Sequence, residues 1–159
     1  MRPDKRAFTL VELVITLIII GILSALVISF TAKAPEKAAI QEARAAMEAL
    51  RIQLKEYFYA PDPETGQIRN RYPWAAGEKH FFDEAGVPEL LNLKTGDLKG
   101  THFSDGSYQI EIQSNDFWIY CIIDDANNNF FKRITDDHSG KGSLDMNSSG
   151  QIFHENISI

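Results

Sequence analysis

The pattern of apolar and polar positions divides the chain into three stretches. Residues 8–30 are almost wholly apolar, with Glu12 the only charge among 23 residues. Over residues 36–57 the apolar side chains Ile40, Ala43, Met47, Leu50, Leu54 and Tyr57 recur at steps of three or four. That spacing predicts a helix with one buried face. Beyond residue 106 the period falls to two: Tyr108, Ile110 and Ile112 alternate with Gln109, Glu111 and Gln113, as in a half-buried strand. Residues 117–123 are apolar on both faces, as expected of a central strand. Residues 125–129 read as a turn, 130–134 as a third strand, and 151–154 as a last one after Ser149-Gly150. Between helix and strands, residues 61–106 are rich in Gly and Pro and read as loop. Pro88 is placed there to open a short helix over residues 88–91.

As a helix, the first stretch rises about 35 Å, more than the roughly 30 Å of a bilayer's hydrocarbon core. Arg2, Lys5 and Arg6 precede it and only Lys33 follows closely. The positive-inside rule therefore places the N-terminus in the cytoplasm and residues after Thr31 outside. An ordinary cleaved signal peptide competes with this reading, because Ala32-Lys33-Ala34 fits a small-x-small cleavage pattern. The apolar run is longer than such signals carry, and Pro35 would follow the cut. Helical character is expected to continue from residue 8 to about 59, kinked at Pro35, which lacks an N–H. Pro61-Asp62-Pro63 ends it. The expected fold class is α+β: a long N-terminal helix, membrane-spanning in its first half, with a small antiparallel sheet packed on its second half. The segments are 1–7, 8–30, 31–60 and 61–159, the last loop-rich over 61–106 and stranded over 107–159.

An acid inside an apolar helix is costly at the bilayer centre and less so near the interface. Glu12 either reaches headgroups and water at the cytoplasmic edge or is matched by a cation when helices associate. Gly21, Ala25 and Ser29 recur every four residues along one face, and small residues at that spacing let membrane helices approach closely.

The run Arg6-Ala7-Phe8-Thr9-Leu10-Val11-Glu12-Leu13 closely resembles the class III signal of type IV pilins and type II secretion pseudopilins. The resemblance implies a pilin-like fold and cleavage by a prepilin peptidase between Ala7 and Phe8. It also implies N-methylation of Phe8 and pairing of Glu12 with the N-terminal amine of a neighbouring subunit. Ala7 stands where the family commonly has Gly. It is also small, so processing is expected, at a lower rate. The implied partners are related pilin-like subunits, the peptidase and an inner-membrane assembly platform. The implied location is the bacterial inner membrane, single-pass with a periplasmic head, and an envelope filament after assembly. A secretion pseudopilus is the first reading. A pilus subunit with an adhesive or DNA-uptake role is the alternative.

The formal net charge is −6; residues 1–7 contribute a net +2, so the chain without them carries −8. An acidic product has no electrostatic footprint for nucleic acid. Cys121 is the only cysteine, so no intrachain disulfide can form. That weighs toward a pseudopilin and away from pilins closed by a C-terminal disulfide. Its apolar neighbours make it a buried hydrophobe. Asp145, Asn147 and Ser149, followed by Gly150, partly imitate a calcium loop, but position 156 is Asn where the final acid should stand. Calcium is therefore the only cofactor to test. The four histidines lack metal-binding spacing, and no catalytic motif is present, so no enzyme is expected.

Overall fold

A computed structural model describes residues 9–31, 34–124, 131, 135 and 140–157. The chain forms two compact units, Met1–Pro35 and Glu36–Ile159. The described part of the first is helix α1, Leu10–Thr31. Its described apolar side chains point in every direction, and Leu10, Val11, Leu13, Leu17, Ile20 and Leu23 are all more than half exposed.

Helix α2 spans Ala34–Tyr59. Pro35, which carries no N–H, is its second residue. The described helices stop at Thr31 and resume at Ala34; the join at 32–33, where a kinked continuation is expected, lies outside the described residues. The buried face of α2 carries Ala39, Ile40, Ala43, Met47, Leu50 and Leu54. Tyr57, expected on that face, is only half-buried. Glu48 and Arg51, three residues apart on α2, form an ion pair. Arg51 Nε donates to Glu48 Oε2 at 2.7 Å and its Nη2 donates to Oε1.

The sheet is a five-stranded antiparallel meander in chain order: β1 (Lys79–Phe81), β2 (Tyr108–Gln113), β3 (Asp116–Asp124), β4 (Lys141–Asn147) and β5 (Ile152–Glu155). A four-residue helix α3, Val87–Leu90, follows β1, with Pro88 in its first turn as expected. Because side chains alternate across a strand, one sheet face collects Tyr108, Ile110, Ile112, Phe117, Ile119, Cys121, Ile123, Leu144 and Met146. These join the α2 stripe, Phe82, Val87, Leu91 and Ile157 in one buried cluster. Burying each large side chain contributes about 1.5–3 kcal/mol.

Two strand readings need correction. The central strand is not equally buried on its two faces: Trp118, Tyr120 and Ile122 are half-exposed. Trp118 lies 5.5 Å from the Phe153 ring on the outer side. A third strand over 130–134 does not form at its one described position. Phe131 is helical, and its carbonyl accepts the Thr135 N–H at 3.1 Å. The other residues of that segment lie outside the described part, as does the turn at 125–129. The strand after β3 is β4, which the sequence reading missed. Its Gly, Ser, Asp and Asn have low strand propensity, and only Leu144 and Met146 mark the alternation.

Candidate functional site

Thr9 precedes the first turn of α1 and caps it. The Glu12 N–H donates to Thr9 Oγ1 at 3.3 Å, and the Thr9 N–H and hydroxyl donate to Glu12 Oε2 at 3.0 and 2.9 Å. This is a reciprocal capping box, in which a Thr and a Glu three residues on satisfy helix-start donors. Its sequence signal is Thr-x-x-Glu before an apolar run, within the same residues that carry the class III resemblance. Glu12 Oε2 therefore has two internal donors, while Oε1 meets none among the described residues.

Further along α1, a Cβ built on Gly21 would meet nothing within 4 Å, so the helix presents a bare backbone patch there. Ala25 is one turn on, on the same face. Ser29 lies within α1, but its side chain is outside the described residues, as are Ala7 and Phe8. The cleavage and methylation positions thus carry no geometry.

Among the described residues no helix is long and apolar enough to cross a membrane. The described side chains of α1 end at Ala25, about 22 Å from Leu10. The helix itself continues to Thr31, 22 residues with Glu12 the only charge, or about 33 Å.

In the head, Asn147 and Ser149 meet, and all three oxygen-bearing side chains, Asp145 included, are engaged within the protein. Asp145 lies within β4, where Ser143 Oγ donates to its Oδ1 at 2.6 Å. Asn147 Oδ1 accepts the Ser149 N–H at 3.1 Å, the Ser149 hydroxyl at 2.6 Å and the Gln151 N–H at 2.9 Å. The side chain that would offer oxygen to calcium thus organises the β4–β5 turn. Among the described residues no group of three or more His, Cys, Asp or Glu is arranged to hold a metal ion.

A second contact was not legible in the sequence. Glu42, on the edge of the buried face of α2, accepts the backbone N–H groups of Thr101, His102 and Phe103 at 3.1, 2.9 and 3.0 Å. Its Oε2 also lies 3.1 Å from His102 Nδ1. Burial pushes this carboxyl up, but the His102 N–H and ring, with the Phe103 and Thr101 N–H groups, outweigh it and hold it below its ordinary value. Gly100 permits the approach, since a Cβ there would stand 2.2 Å from Glu42 Oε1.

An exposed apolar helix with a capped start, an amphipathic helix, and an antiparallel meander over that second helix together form an α+β, pilin-like arrangement. Residues 2–28 match the family model of the prokaryotic N-terminal methylation motif, the class III signal of type IV pilin-like proteins. No curated protein matches the chain, and no solved structure matches it.

Proposed function

We propose that this chain is a structural subunit of a type II secretion pseudopilus. In this reading the peptidase cuts between Ala7 and Phe8, Phe8 is N-methylated, and α1 anchors the head in the inner membrane until assembly. The observation that carries it is the methylation motif on residues 2–28, which overlaps an α1 whose described apolar side chains are exposed all round. Such a surface is stable only in lipid or against other helices. Glu12 Oε1 is left for the Phe8 amine of a neighbour, and the bare patch at Gly21, with Ala25 and Ser29 on the same face, is where that neighbour packs. A buried charge pair tolerates the membrane where either charge alone does not. Cys121 as the only cysteine favours a pseudopilus over a disulfide-closed pilus subunit, which is the alternative.

The test is assembly in a cell that supplies the peptidase and the inner-membrane platform of a secretion system. The wild-type chain should appear in sheared filaments, and Glu12→Ala should remain in the membrane fraction. Filament yield unaffected by Glu12→Ala would remove the assembly role of Glu12. Incorporation only by a pilus machine would favour the alternative.

A further inference from the structure

Beyond α1, the head carries a cavity of about 470 Å³ between the end of α2, the 70–76 loop and the β2–β3 turn. Its volume is within the roughly 300–1,000 Å³ of small-molecule sites. Ring surfaces form one wall: Phe58 and Tyr72 lie 4.9 Å apart, and Tyr72 rests edge-on against the buried Phe117 at 5.2 Å. Trp74 continues that wall, braced by a stacked contact with His80 at 4.7 Å. The rings are therefore held in place from behind while remaining half-exposed on the cavity side.

Three other lining side chains, Asn70, Ser114 and Asn115, make no hydrogen bond among the described residues. Asn70 is fixed in a left-handed conformation, φ 47°, with its N–H donating to the Phe58 carbonyl at 3.1 Å. Its amide is thus held by the backbone and not by a side-chain partner. Among the described lining residues Arg71 is the one cation, and Asp62 sits 3.3 Å from it, so they leave no unmatched charge.

We infer that this cavity binds a neutral oligosaccharide. A sugar ring has an apolar face to lie on fixed aromatic rings, and hydroxyls that both donate and accept. Side-chain amides and a serine hydroxyl do the same. An anionic ligand would need an uncommitted cation. A lipid tail would bury Asn70, Ser114 and Asn115 without partners. A proline-rich strand also suits ring-lined grooves, but its prolines offer no N–H to the amide oxygens. This inference does not depend on which filament the subunit joins.

The test uses the full chain in a zwitterionic detergent with no sugar headgroup. Trp74 and Trp118 are the two tryptophans, so in Trp118→Phe the emission reports Trp74 alone. Cellotetraose and chitotetraose are the probes, with a proline-rich decapeptide as the competing class. The expected result is a saturable change in Trp74 emission with a tetrasaccharide. Asn70→Gly, which keeps the left-handed backbone, combined with Asn115→Ala should weaken it at least about fivefold through two lost hydrogen bonds. Ser114→Ala, a smaller change on the same turn, should weaken it less and in the same direction. No response to either sugar, binding unchanged in these variants, or a response to the peptide alone would overturn the inference.

Discussion

The Thr9 hydroxyl and the Glu12 carboxylate hold each other across the first turn of α1, with the Thr9 N–H and hydroxyl both donated to Glu12 Oε2. Thr9 immediately follows Phe8, so the box would survive a cut between Ala7 and Phe8. An unassembled subunit then keeps its acid partly satisfied, and a neighbour's amine would compete with, or add to, an internal cap.

Thr9→Ala should loosen the start of α1 and leave the rest intact. Amide hydrogen exchange in micelles is expected to accelerate at Leu10, Val11 and Glu12, whose N–H groups lack helical acceptors of their own. Thr9→Ser should restore protection. Equal exchange in Thr9→Ala and the wild type would show that the cap does not form.

Glu42 ties α2 to the loop that leads into β2. Glu42→Ala leaves three backbone N–H groups without their acceptor and should lower stability by roughly 1–3 kcal/mol. A carboxyl held below its ordinary value stabilises fully above its unfolded value, near 4.5. That stabilisation is lost as pH falls through the lower folded value. Glu42→Gln should therefore flatten the acid limb of the stability profile below about pH 4.5. Denaturant titrations at pH 7 and pH 3.5 check both, and an unchanged acid limb in Glu42→Gln would count against the latch.

Met47 and Leu50 are fully buried in the α2 stripe. Met47→Ala or Leu50→Ala should each cost about 2–5 kcal/mol through lost burial and the cavity left behind. Ile52→Ala, on the opposite, exposed side of α2, should cost far less. Urea midpoints of the three variants test the assignment of faces.

Cys121 is buried, and burial, helped by the nearby Glu42 charge, pushes its thiol well above the ordinary range. Its reaction with a thiol reagent at pH 8 should be negligible in the native protein and rapid after unfolding in urea. Prompt native labelling would mean that β3 is not packed as described.

The α2 stripe and the alternation in β2 were legible because apolar spacing alone selects a face of a helix or a strand. The α+β class followed from where those two periods begin and end. The capping box was equally legible in Thr-x-x-Glu but went unread, since the same residues also carry the processing signal. Strand β4 was hidden because Gly142, Ser143 and Asp145 favour turns, and its place comes from pairing with β3, from Trp118–Asn147 to Asp124–Lys141. Glu42 looked like one more surface acid. Its three N–H partners lie about 60 residues away, a separation that no local pattern reports. The calcium reading of Asp145, Asn147 and Ser149 came from composition shared with turns, and Asn147 is occupied as a turn residue.

Intact mass spectrometry of the chain expressed with and without a prepilin peptidase tests the central claim most directly. With the peptidase, the expected mass is that of the chain beginning at Phe8 with one added methyl group. An intact chain, or a product beginning after Ala34, would contradict it.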